Sequence, residues 1–113
     1  MRPEAKKYLF DMQQAADWIA TFVAGKRFED YAADAMLRLA VERCFSILGE
    51  AMSQLARVDA PSAAKITEYQ RIIAFRNILI HSYAQTDDRL VWSLIETKLP
   101  ELRRAIQALL PEE

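Results

Sequence analysis

This sequence of 113 residues has few of the residue types on which zinc sites, disulfide frameworks and phosphate-binding loops depend. It contains one cysteine, Cys44, and one histidine, His81, so it can form no internal disulfide and cannot supply the several Cys or His ligands of a zinc site. Its two glycines, Gly25 and Gly49, are too few for a phosphate-binding loop. Cys44 lies among apolar residues and is interpreted as a small buried hydrophobe of a reducing compartment, with a reactive thiol as the alternative.

Long apolar runs and an excess of charge are also missing. No run approaches the roughly 20 residues that span a bilayer, and the first residues are charged and amphipathic, unlike a signal peptide. We therefore expect a soluble, cytoplasmic protein with no membrane partner. Fifteen basic and sixteen acidic residues give a net charge of −1, which excludes a general nucleic-acid coat protein. Any RNA must be bound at a local site.

The residues that are present predict one folded helical domain over residues 1–113. Hydrophobic residues make up 52% of the chain and charged residues 27%, a balance typical of globular proteins. Apolar residues recur at steps of three and four in four segments. We place these at about Pro3–Ala24, at about Tyr31–Arg57, from between Ser62 and Ile66 to about His81, and from just after Asp87 or Asp88 to Leu109.

These segments predict an all-α, antiparallel four-helix bundle. The third segment carries two adjacent apolar rows, which predicts burial against two neighbours and some surface left for a second subunit. Pro100 lies inside the last pattern, where it removes a backbone hydrogen bond, so we expect a kinked or split helix there. The seam of the second and longest segment is Leu37, Val41, Cys44, Leu48, Met52 and Leu55.

Two other candidate sites have little support in the sequence. A Ser-His-Asp arrangement can be drawn with Ser82 or Ser93, but neither serine lies in a strand-to-helix nucleophile elbow. The pair Asp87-Asp88 is interpreted as a helix cap, with a magnesium site as the alternative. We predict no metal site and no cofactor.

The remaining candidate is Arg76, which lies five residues before His81, with Tyr83 two residues further on. Each residue also has an interpretation that involves no catalysis. Arg76 can be a surface charge, His81 can lie at the negative end of a helix dipole, and Tyr83 can be a core aromatic residue. Five residues of an ideal helix rotate by about 140° and rise by about 7.5 Å, so Arg76 and His81 do not share a stripe. The side chains of Arg76 and His81 can meet at one site only if the arginine reaches far, if the helix end is unwound, or if a two-fold dimer brings the two residues together.

These side chains suit the cleavage of RNA by its own 2′-hydroxyl. Histidine titrates near neutral pH and can accept the proton of the hydroxyl or give one to the leaving 5′-oxygen. A guanidinium is always charged and can stabilise the pentacovalent transition state. The nucleophile belongs to the substrate, so this reaction requires no metal. One histidine per chain leaves the second proton transfer unassigned, and His81 of a second subunit is the natural candidate.

The segment from Arg76 to Tyr83 resembles the Arg-x4-His-x-Tyr signature of the HEPN superfamily, and specifically its HepT-like toxins. The block from Val41 to Ala51, which includes Glu42-Arg43 and Gly49-Glu50-Ala51, is similar to the second helix of that family. The block from Asp87 to Leu99, with Val91-Trp92 and Leu99-Pro100, is similar to its closing helix. The resemblance therefore covers roughly residues 5–110.

This resemblance implies a HEPN-like helical bundle that forms a homodimer through its motif-bearing helices, with RNA cleaved in the cleft between subunits. It implies that Arg76 binds phosphate, that His81 is the general acid–base and that Asn77 supports them, without a metal. It also names a partner, a minimal nucleotidyltransferase antitoxin that transfers AMP to the motif tyrosine, here Tyr83. The implied function is the RNase toxin of a type VII-like toxin–antitoxin system. The alternative is a non-catalytic helical subunit that binds a nucleotidyltransferase or a nucleotide.

Overall fold

The computed structural model describes residues 1–81 and 87–110, and every regular element in them is helical. The predicted all-α bundle is confirmed, and its four predicted segments correspond to α1, α3, α5 and the pair α6 and α7. Within the described residues, no helix is both long enough and apolar enough to cross a membrane. The helices are α1 (Pro3–Val23), α2 (Phe28–Ala33), α3 (Ala35–Val58), α4 (Ala60–Ala63), α5 (Tyr69–His81), α6 (Asp88–Thr97) and α7 (Leu99–Leu109).

Helix α1 agrees with its predicted bounds to within one residue. Pro3 occupies the first turn, where its missing N–H costs no hydrogen bond. Gly25 follows the helix with a φ of 74°, the left-handed conformation that often terminates a helix and that glycine adopts most easily. The helix packs mainly against α3. Its buried residues are Ala5, Leu9, Met12, Ala15, Ala16 and Ile19.

The prediction of one continuous helix from Tyr31 to Arg57 is wrong at its beginning. A separate short helix, α2, starts at Phe28, and the chain is extended at Asp34 before α3 starts. The side chain of Asp34 accepts a hydrogen bond from the backbone N–H of Leu37 at 3.1 Å. This bond caps the N-terminus of α3, and an aspartate favours such a break because it is a far better cap than a mid-helix residue.

Helix α3 is the centre of the bundle, since it packs against both α1 and α5. All six residues of its predicted seam are buried, and Phe45 meets Phe75 of α5 edge to face with 5.4 Å between ring centroids. Burial raises the pKa of the Cys44 thiol, an effect that nearby Arg43 partly opposes. Cys44 therefore packs as the small buried hydrophobe that its neighbours predict.

The third predicted segment begins later than expected. Asp59 caps the short helix α4 by accepting a hydrogen bond from the N–H of Ser62, and Glu68 then adopts a φ of 59° before α5 begins. Within the described residues α5 packs mainly on α3, so the second neighbour that its two apolar rows predict stays a prediction. Ile78 and Ile80 are 55% and 47% exposed.

The last segment is split in the way that Pro100 predicts. Asp87 caps α6 by accepting hydrogen bonds from the N–H groups of Arg89 and Leu90 at 3.0 and 3.1 Å. The helix ends at Thr97, and Pro100 lies in the first turn of α7, where a proline is tolerated. Helix α7 returns along α1, and Arg103 pairs with Asp17 across this contact at 3.0 Å.

Candidate active site

Helix α5 carries Arg76, Asn77 and His81 on one continuous helix that extends through His81. No unwinding therefore separates Arg76 from His81, and five helical residues leave their Cα positions about 140° apart around the axis. Asn77 is exposed on the same helix. The side chain of His81, and all of Ser82 and Tyr83, lie outside the described residues, so their predicted roles stay predictions.

The guanidinium of Arg76 reaches a carboxylate on the neighbouring helix. Its Nη2 lies 3.3 Å from Oε2 of Glu50 on α3, with the two side chains 22% and 53% exposed. The carboxylate is also held from its own helix, because Gln54 Nε2 donates a hydrogen bond to Glu50 Oε1 at 3.1 Å. Arg76 is therefore an oriented cation at the α3–α5 surface and not the freely solvated charge of the structural interpretation.

Gly49 allows α5 to lie this close to α3. A Cβ placed on Gly49 would stand 2.2 Å from the Cβ of Arg76 and 3.1 Å from the backbone oxygen of Ile72. The first distance is too short for any larger residue without a shift of one helix, and the second is tight. Because Gly49 has no side chain, α5 can lie close to α3, and this close packing fixes where the Arg76 side chain emerges.

Among the described residues, the Arg76 guanidinium finds few hydrogen-bond acceptors. Its Nε is buried and has no acceptor among the described residues. The contact of Nη2 with Glu50 at 3.3 Å is longer than the roughly 2.7–2.9 Å of a strong charge-assisted hydrogen bond. A phosphate oxygen at the partly exposed end of the guanidinium would therefore gain a donor that the protein itself does not fully use.

Gly49 and Glu50 were not singled out as site residues by sequence reasoning. A glycine in the middle of a 24-residue helix is costly on propensity grounds, and this cost indicates a close helix contact. Nothing local indicates which helix makes that contact. Glu50 resembles any solvent-facing glutamate until the contact between α3 and α5 is known.

A second buried polar atom lies between α2 and α6. Tyr31 is fully buried with its ring 5.4 Å from that of Trp92, and its hydroxyl has no partner among the described residues. Burial, and then the negative charges of Glu42 and Asp88, raise the pKa of Tyr31 above its ordinary range. The phenol therefore stays neutral and contributes packing to the core.

In the acidic pair at the start of α6, Asp87 takes the capping role. Asp87 accepts two backbone hydrogen bonds, and Asp88 lies 3.9 Å from Arg38 of α3. Across residues 1–81 and 87–110, no three His, Cys, Asp or Glu side chains come together as a metal-binding group. Ser93 is exposed on α6.

Comparison with known proteins identifies relatives over nearly the whole chain. The model of the family described as "Ribonuclease HepT-like" matches residues 12–109. A candidate RNase from Caldanaerobacter subterraneus subsp. tengcongensis is 30% identical over 96% of this chain and 96% of its own length. A protein named "Probable ribonuclease HepT" from Thermococcus cleftensis is 28% identical over 96% of this chain and 98% of its own. No solved structure matches significantly. The extent of the family match, together with these two relatives, shows that the chain belongs to the HepT-like ribonuclease family.

Proposed function

We propose that this protein is the RNase toxin of a type VII-like toxin–antitoxin system and cleaves RNA at a site that contains Arg76 and His81. The observation that carries the proposal is the partly exposed Arg76 guanidinium, which Glu50 orients through a 3.3 Å contact and whose buried Nε has no acceptor among the described residues. Such a group can bind a phosphodiester and stabilise the additional negative charge of its transition state. The family match supports the ribonuclease part of the proposal.

In the proposed reaction the 2′-oxygen of the RNA attacks the adjacent phosphorus while a base removes the hydroxyl proton. The bond from phosphorus to the 5′-oxygen breaks, and an acid protonates that oxygen. The products are a 2′,3′-cyclic phosphate and a 5′-hydroxyl. His81 performs one proton transfer, and Arg76 holds the phosphoryl oxygens. No step requires a metal, so cleavage should persist in a chelator.

The helix geometry supports a site shared by two subunits. The Cα positions of Arg76 and His81 lie about 140° apart around the axis of α5, so two antiparallel copies of α5 could combine the arginine of one with the histidine of the other. Ile78 and Ile80, the exposed apolar residues between them, would be covered by such a homodimer. The second His81 would then supply the second proton transfer.

An in vitro cleavage assay tests the ribonuclease reaction. With single-stranded RNA and chelator present, we expect Arg76→Ala to lower the cleavage rate about 10²–10³-fold, the usual effect of removing a group that stabilises transition-state charge. His81→Ala should lower it about 10²–10⁴-fold. Gln70→Ala on the exposed side of α5 is the matched control and should leave the rate unchanged.

Induced expression in bacteria tests the toxin role with the same variants. The wild type should arrest growth, and folded Arg76→Ala and His81→Ala proteins should not. Continued toxicity of folded His81→Ala would contradict the proposed chemistry and favour the alternative of a non-catalytic subunit that binds a nucleotidyltransferase or a nucleotide, because binding tolerates loss of the proton-transfer group.

We also propose that a nucleotidyltransferase antitoxin silences the enzyme by transferring AMP to Tyr83. The tyrosine oxygen would attack the α-phosphorus of ATP, its proton would pass to the transferase, and pyrophosphate would leave. The attached phosphate would place negative charge near Arg76 and exclude RNA. Co-expression should add AMP-sized mass to the wild type and none to Tyr83→Phe, and unchanged addition to Tyr83→Phe would place the acceptor elsewhere.

A further inference from the structure

A groove of about 500 Å³ runs between α1 and α3 beside the candidate active site. We call it the α1–α3 groove. Glu50, the partner of Arg76, is part of its lining, so the groove begins where the guanidinium of Arg76 is held. Its lining also includes Lys7 and Tyr8 of α1 and Arg43, Gln54 and Arg57 of α3.

Two arginines in the groove have no carboxylate partner among the described residues. The carboxylate of Glu50 faces Arg76, and that of Asp11 lies 3.4 Å from Lys7. Arg57 donates only to the neutral side-chain oxygen of Gln54, and Arg43 makes no ion pair in the described part of the chain. Both arginines are exposed. They provide local positive charge on a chain whose net charge is −1.

The spacing of these charges is regular along α3. Arg43, Glu50 and Arg57 follow one another at intervals of seven residues, or about two turns, and so lie on one stripe of the helix. Each interval corresponds to a rise of about 10.5 Å. Arg76 reaches the middle of this stripe through Glu50, so an arginine without a carboxylate partner among the described residues lies on either side of the Arg76 guanidinium.

An aromatic ring lies beside this stripe. Tyr8 is half-buried in the wall of the groove, and the ammonium of Lys7 lies 5.2 Å from its ring centroid. Aromatic side chains next to cationic groups are the usual way in which proteins hold unpaired bases, because every base can stack on a ring. Paired bases in a duplex do not expose these faces.

We infer that the α1–α3 groove binds single-stranded RNA on either side of the phosphate held by Arg76. Arg43 and Arg57 contact flanking phosphates, and Tyr8 stacks against an unpaired base. This inference rests on the proposed function, which supplies the RNA and its scissile phosphate. It adds a substrate class, single-stranded over double-stranded RNA, and a path for the strand along α3.

Binding measured separately from cleavage tests the inference. A short fluorescent single-stranded RNA of mixed sequence is titrated with full-length His81→Ala protein between about 50 and 200 mM salt. Adding Arg43→Gln or Arg57→Gln to this background should weaken binding several-fold and reduce the slope of log K against log salt by about 0.7 each. Tyr8→Leu should weaken binding with an unchanged slope, because it removes stacking and no charge.

The control is Arg104→Gln in the same background, which removes an exposed arginine of α7 outside the groove and should leave affinity and slope unchanged. A duplex of the same sequence should bind more weakly than the single strand. Affinity and slope that stay the same after loss of both Arg43 and Arg57, or equal binding of the duplex, would overturn the inference.

The outcomes separate this inference from the proposed function. If the wild type cleaves RNA but the groove variants bind and cleave as it does, the groove assignment fails and the ribonuclease proposal stands. If RNA binding depends on Arg43 and Arg57 but the wild type cleaves no RNA, the catalytic proposal fails and the groove assignment stands.

Discussion

Two buried polar atoms in this bundle lack a partner among the described residues, and their surroundings differ. The Tyr31 hydroxyl is neutral, fully enclosed and packed beside Trp92. The Nε of Arg76 belongs to a charged group whose outer end reaches the surface and a carboxylate. An unpartnered atom therefore indicates a ligand site only where its side chain also has access to solvent. Three variants test this contrast.

The largest effect is expected for Gly49→Ala. The new Cβ would meet the Cβ of Arg76 at 2.2 Å, so α3 and α5 must move apart. Overpacking costs about 1–3 kcal/mol, and this contact lies at the severe end, while alanine in place of glycine regains at most about 1 kcal/mol of helix propensity. We expect the free energy of unfolding in urea to fall by about 2 kcal/mol, together with reduced RNA cleavage.

Ser53→Ala, one turn further along α3, is the control and should be neutral or slightly stabilising because alanine is the better helix former. The double variant Gly49→Ala with Arg76→Gly removes the clashing Cβ and should recover much of the lost stability. A Gly49→Ala protein as stable as the wild type would contradict the close crossing of the two helices.

A smaller effect, on activity and not on folding, is expected for Glu50→Gln. Glutamine keeps the shape and the contact with Gln54 but cannot hold the guanidinium through charge. If Glu50 positions Arg76, kcat should fall about tenfold, a loss of about 1.4 kcal/mol of transition-state stabilisation. KM should fall or stay constant, since a negative charge near the RNA phosphate is removed. Glu101→Gln on α7 is the matched control. A rise in KM with constant kcat would show that Glu50 has no positioning role.

The smallest effect is expected for Tyr31→Phe, which removes the other unpartnered atom. Near neutral pH its stability should lie within about 1 kcal/mol of the wild type, because the hydroxyl has no hydrogen-bond partner among the described residues, and cleavage should be unchanged. Since the folded pKa of Tyr31 is raised, the wild type keeps full stability below the ordinary value of 10.0 and loses it as the pH rises above that value. Tyr31→Phe should lose less stability than the wild type over the same rise in pH. Identical alkaline unfolding profiles would contradict the burial of this phenol.

The parts of the fold that depend on one helix at a time could be predicted from the sequence. The seam of α3, the left-handed Gly25 and the restart at Pro100 follow from periodicity and from the backbone limits of glycine and proline. The break at Asp34 was missed because aspartate is compatible with both a helix surface and a cap. Periodicity alone does not distinguish these two roles.

The candidate site was predicted only in part, because it depends on two helices that are distant in sequence. Arg76 was identified through the motif that it shares with the family. The contact with Glu50 and the space left by Gly49 depend on how α5 crosses α3, which no local pattern specifies. No local pattern specifies which apolar residues of α5 this crossing leaves uncovered, and Ile80 of its predicted apolar rows is 47% exposed.

The central helix α3 carries the core on one side and the charged stripe on the other, and this limits how the protein can evolve. Each helical residue turns the chain by about 100°, so one residue inserted after Glu50 would rotate Met52 and Leu55 out of the core and Arg57 off its stripe. Point substitutions can alter the groove without harm to the fold. Insertions and deletions cannot, and we expect natural variation in length to fall outside α3.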